Sequence, residues 1–64
     1  MLWLSELLLQ NQEIENFAGL QNKLRDCAQN GEMFFRMDVK PPFPDTPEDW
    51  EEKLESTFTS VQNR

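Results

Sequence analysis

Histidine is absent from the chain, and cysteine occurs once, at Cys27. One cysteine cannot form an internal disulfide, and without histidine the usual Cys/His zinc patterns are missing. A nucleophilic cysteine needs a neighbouring base or a lowered pKa. With no imidazole to serve as that base, Cys27 reads as a small core residue. Basic residues are also scarce: six Lys and Arg stand against twelve Asp and Glu, for a net charge of −6. A nucleic-acid binder shows a basic patch or stripe, whereas Lys23, Arg25, Arg36 and Lys40 are scattered. Direct nucleic-acid binding and docking on an anionic membrane surface are both disfavoured. No apolar run approaches the roughly 20 residues that span a bilayer. The opening Met-Leu-Trp-Leu-Ser-Glu has no positively charged start and no cleavage site, so no secretory signal is read. A lone cysteine fits a reducing compartment, and a cytoplasmic location is the expectation.

A chain of 64 residues makes one domain, 1–64. At that size only about 60% of the unfolded surface is buried. With disulfides and metals set aside, stability must come from a well-packed helical core, a second subunit, or both.

What the chain does have is helical periodicity. At about 100° per residue, Trp3, Leu7, Ile14, Phe17, Ala18, Leu24 and Ala28 fall on one face, flanked by Leu2, Leu9, Leu20 and Cys27. The stripe is roughly 180° wide. Gln10 and Gln21 interrupt it, and Leu4 and Leu8 fall outside it. The phase persists across Asn11 and Gln12, which predicts one helix over about 3–29 rather than two. Asn30-Gly31 supplies the stop, since either residue takes the left-handed conformation at low cost.

Residues 33–40 change period. Met33, Phe35, Met37 and Val39 alternate with Phe34, Arg36, Asp38 and Lys40, the pattern of an extended strand with one apolar face. It is the only such run, so the segment reads either as a single short strand that pairs with a copy or another protein, or as plain extended chain. Pro41-Pro42-Phe43-Pro44 makes a stiff joint, with Phe43 entering the core. A second helix is predicted over about 47–61. Thr46 would be its N-cap, Pro47 its first residue, and Glu48 and Asp49 its first turn. Trp50, Leu54, Phe58 and Val61 give it a narrow apolar stripe.

The fold class predicted is therefore mainly α: a long N-terminal amphipathic helix, an extended Pro-rich connector over about 32–45, and a second amphipathic helix. Lengths then argue for a partner. A helix over 3–29 is about 40 Å long, while a compact globule of this size is only roughly 28 Å across. The overhang predicts a helical homodimer joined through Trp3, Leu7, Ile14, Phe17 and Leu24. If the helix instead breaks near Asn11, a three-helix monomer results and the overhang shrinks.

No catalytic residue, metal site or cofactor is read. Glu48, Asp49, Glu51, Glu52 and Glu55 concentrate acidic charge on the second helix. They suit either a basic partner surface or simply a solvated helix face and its dipole. Phe34, Phe35 and Arg36 could stack bases, but core packing explains them more simply. Trp3 and Trp50 read as core anchors, with Trp3 the better interface candidate. In composition the chain is similar to small acidic accessory proteins of phages and mobile elements, a likeness that no motif carries. The function expected is a non-enzymatic protein–protein interaction module, an adaptor or an inhibitor of another protein. The alternative is an acidic nucleic-acid mimic that fills a DNA-binding protein's groove.

Overall fold

The apolar phase that runs unbroken from residue 3 to residue 29 does not produce an unbroken helix. A computed structural model describes residues 1–62. It contains, in order, β1 (Leu2–Trp3), α1 (Leu4–Gln10), α2 (Phe17–Gln29), β2 (Phe35–Arg36) and α3 (Trp50–Gln62). The break is made by two asparagines. Asn11, at φ −128° and ψ 58°, ends α1 and donates its side-chain amide to the Leu7 carbonyl at 2.8 Å. Asn16 is extended and caps α2, its side-chain oxygen accepting from the Gly19 amide at 2.7 Å. Between them the Ile14 amide donates to the Asn11 carbonyl at 3.1 Å, closing a turn. Short polar side chains compete with helical hydrogen bonds in this way, and here they prevail over a matching apolar phase.

With the break, the two helices choose their faces independently. Leu4, outside the single-helix stripe, becomes fully buried, while Ala18, inside it, is exposed. The core consists of Leu4 and Leu7 from α1, Phe17, Leu20, Leu24 and Ala28 from α2, and Leu54 and Phe58 from α3. Burying each large aliphatic side chain contributes about 1.5–3 kcal/mol. Phe43 packs against this core, as the sequence indicates, and so do Trp50 and Val61. Gln21, a polar interruption in the stripe, meets Thr57 across the α2–α3 interface: its amide donates to the Thr57 hydroxyl at 3.3 Å. That hydroxyl donates in turn to the Lys53 carbonyl at 2.8 Å, so the buried Thr57 is satisfied.

The stop at Asn30-Gly31 is where the sequence puts it. Gly31 has φ 104°. Its amide bonds to the Ala28 carbonyl at 3.3 Å, and the Glu32 amide to the Cys27 carbonyl at 3.2 Å. This is the paired Schellman closure.

Residues 33–40 do pair as a strand, but within the chain and over two residues only. β2 lies parallel to β1, with Leu2 opposite Phe35 and Trp3 opposite Arg36. Its partner is the segment that periodicity assigned to the start of a helix. Parallel pairing needs a long crossover, which α1 and α2 supply. Leu2 and Phe35 face the core, and Trp3 and Arg36 face out.

Two aspartates in the connector tie it to both N-terminal helices. Asp38 accepts from the Ser5 amide at 3.0 Å and from the Ser5 hydroxyl at 2.6 Å, at the start of α1. These bonds hold the Asp38 carboxyl below its ordinary range, the hydroxyl contributing most. Asp45 accepts from the Phe17 amide at 3.0 and 3.2 Å, at the start of α2. Each carboxylate meets amides that a helix leaves unpaired at its first turn.

The second helix starts later than predicted, at Trp50 rather than Pro47. Residues 43–46 form a turn closed by the Thr46 amide on the Phe43 carbonyl at 3.1 Å. The Thr46 hydroxyl points back at the Pro41 carbonyl, 3.5 Å away, instead of capping a helix. The Asp49 carbonyl accepts from the Lys53 amide at 3.1 Å and opens α3.

The radius of gyration is 10.7 Å and the longest extent 31 Å. A chain of this length should reach about 11 Å when compact, so the molecule folds back fully on itself. The 40 Å overhang from which a second copy was inferred is absent.

Candidate functional site

The residues expected to join two copies are mostly interior. Leu7, Phe17 and Leu24 are buried in the chain's own core and Ile14 is half-buried beside it; Trp3 alone of the five is exposed. With the helix broken, Leu7 joins Phe17 and Leu24 in one core cluster within the chain.

The acidic residues sort differently. Glu48 and Asp49 lie in the turn before α3, Glu51, Glu52 and Glu55 lie on α3, and all five are exposed. Asp49 sits 3.7 Å from Lys53, one turn along. Among the described residues, no other acid on this element has a basic partner within ion-pair distance. Asp45, close to them in sequence, is occupied at the α2 terminus.

Beside the acids runs a groove of about 500 Å³, between residues 33–37 and α3. Phe35 and Phe58 form its base, their ring centroids 5.5 Å apart. Met37, half-buried, lies on the connector side. Glu51 and Glu55 stand on the α3 wall and Arg36 on the opposite one. At the rim, Met33 is 71% exposed and Phe34 66%. Alternation fits the split between the two phenylalanines, Phe35 in and Phe34 out, but it does not extend to Met33, which lies before the two-residue strand and is exposed as well. The sequence suggested core packing for this run, which holds for Phe35 and fails for Phe34. The alternation itself was the available signal.

A second hollow, of about 510 Å³, is lined by Glu52, Glu55, Ser56, Thr59 and Ser60. All of these come from α3, so it has no opposing wall and is the outer face of a helix. A smaller one, of about 200 Å³, lies among Leu8, Asn11, Gln12, Ile14, Pro42 and Phe43.

Cys27 is half-buried, and that burial pushes its thiol above the ordinary value; Lys23 opposes the rise, while Glu32 and Asp26 add to it. A thiol held in its neutral form is a poor nucleophile. Among the described residues, no three Cys, Asp or Glu side chains gather as a metal-ligand group. None of the described helices is long and apolar enough to cross a membrane. No family model matches the chain, and no curated protein or solved structure is significantly similar to it.

Proposed function

We propose that the protein is a small non-enzymatic interaction module, an adaptor or an inhibitor, that acts by docking another protein in the groove between residues 33–37 and α3. The observation behind this reading is the exposure of Phe34 and Met33 beside unneutralised Glu51 and Glu55. Large exposed aromatic and methionine side chains are favoured at protein interfaces. The acids beside them add direction to an otherwise nonspecific apolar contact. The acting form is the single chain, because Leu7, Phe17 and Leu24 are occupied in its own core. Sedimentation at micromolar concentration should therefore return the 7.6 kDa monomer mass. A dimer mass would overturn that part of the reading.

Affinity capture from cells that make the protein tests the docking. A partner retained by the wild type should be lost with Phe34→Ser, a change at an exposed site that leaves the core intact. Identical recovery with both proteins would sink the groove as the docking site.

The second reading, an acidic nucleic-acid mimic, rests on Glu48, Glu51, Glu52 and Glu55, all exposed across α3 and the turn before it. Mimicry should weaken steeply with salt and ignore Phe34→Ser. Apolar docking should be lost with Phe34→Ser and weaken only modestly with salt, on the scale of its exposed ion pairs.

A further inference from the structure

We infer that the occupant of this groove is a basic amphipathic segment of another protein, with its cationic side chains laid along α3. The inference rests on the docking reading above and specifies its partner. Glu51 and Glu55 are four residues apart on α3, so their carboxylates rise from the groove wall at about 6 Å spacing along the helix axis. Two Lys or Arg side chains four apart on a helix match that spacing, and so do two side chains two apart on an extended segment.

Neither glutamate is within ion-pair distance of a cation among the described residues. Arg36, on the far wall, is the cation of the groove, so an incoming positive charge is favoured on the α3 side and opposed on the β2 side. The groove is thus polarised, and it admits a segment whose basic edge faces α3. Phe34 at the rim and half-buried Met37 on the connector side offer apolar surface to the segment's apolar face.

Other occupants fit less well. A second copy carries the same net charge of −6, so its approach meets repulsion. An anionic lipid surface or a nucleic acid would meet the same repulsion.

The test uses the full chain, labelled with nitrogen-15, and two synthetic peptides of about twelve residues. One is amphipathic and built of Leu and Lys; the other replaces every Lys with Glu. The Lys peptide should shift amide resonances saturably within residues 33–37 and 51–59, and the Glu peptide should bind at least about tenfold more weakly. Changing Glu51 and Glu55 together to Gln should weaken the Lys peptide by about threefold to tenfold, the scale of two exposed ion pairs. Gln is a good helix former, and an unchanged circular dichroism spectrum checks that the fold survives.

Equal binding of the two peptides, shifts mapping elsewhere, or no binding of either peptide would overturn the inference. A partner that is captured in a Phe34-dependent manner, yet docks through a neutral or acidic segment, would overturn the inference and leave the docking reading standing. Capture independent of Phe34 would remove both.

Discussion

Asp45 and Thr46 are neighbours, and the fold assigns them opposite consequences on truncation. Asp45 receives the Phe17 amide on both carboxylate oxygens, at 3.0 and 3.2 Å. This is one shared N–H, so one charge-assisted hydrogen bond is at stake, together with the favourable placement of a negative charge at a helix N-terminus. Hydrogen bonds to charged groups contribute about 1.5–3 kcal/mol and the dipole about 0.3–1 kcal/mol. Asp45 is exposed, so solvent screening brings the sum down. Asp45→Ala should cost about 1–2 kcal/mol. Asp45→Asn keeps an acceptor and loses the charge, and should cost about half as much. Thr46, had it capped α3, would cost on the order of 1 kcal/mol on truncation. Its hydroxyl instead sits 3.5 Å from the Pro41 carbonyl, at the limit of a useful bond. Thr46→Ala should therefore change stability by less than about 0.5 kcal/mol. Urea unfolding followed by circular dichroism measures all three, with thermal midpoints moving by about 4–8 °C per kcal/mol in a domain this small. A Thr46→Ala loss equal to that of Asp45→Ala would mean that α3 begins at Thr46 after all. A neutral Asp45→Ala would remove the tie between connector and α2.

Gly31 has φ 104° and nothing within 4 Å of where a Cβ would sit, so the cost of Gly31→Ala is backbone strain alone, about 1–2 kcal/mol. Gly31→Asn should recover part of it in the same unfolding assay, and equal stability of wild type and Gly31→Ala would show that the closure is not strained. Asp38 concerns the acid limb. Its folded-state pKa lies below the unfolded one, so its stabilising effect is full above the ordinary value of about 3.9 and fades as pH falls through the lower, folded value. Ser5→Ala removes the largest cause of the lowering, the hydroxyl bond, and the Asp38 carboxyl midpoint, followed by carbon-13 resonance, should rise. A midpoint that stays in place would show that the hydroxyl bond is not formed.

Much of this architecture is legible in the residues, and what is not has definite reasons. The α3 stripe of Trp50, Leu54, Phe58 and Val61 faces the core as spaced. Asn30-Gly31 closes α2 where a left-handed residue is available. Those features are local, and local chemistry decides them. The break at Asn11 and Asn16 is local too, yet two signals conflict there: apolar phase favours continuity, and asparagine side chains favour termination. Asn16, three residues before Gly19 and directly before Phe17, was the readable cap. The strand at Leu2–Trp3 and the caps from Asp38 and Asp45 depend on residues about thirty positions away, so no window of sequence contains them. For the site, the cluster of acids was visible as composition. Its apolar neighbour was legible in part: the alternation of residues 33–40 puts Phe34 opposite Phe35, but it puts Met33 on the side of Phe35, and Met33 is exposed as well.

The strand pair and the Asp38 cap share one more property. Leu2 faces Phe35, Trp3 faces Arg36, and Ser5 binds Asp38, all at a sequence separation of 33. The cap thus lies on the same diagonal as the ladder and pins its register. A two-residue ladder alone is free to slip, and a slip of one would turn Phe35 outward and Phe34 inward. With Asp38 fixed on Ser5, that slip also forfeits the cap. Inserting or deleting one residue within 3–5 or 36–38 therefore breaks the two together, whereas the bonds of Asp45 to Phe17 and of Thr57 to Gln21 lie at separations of 28 and 36, on no shared diagonal.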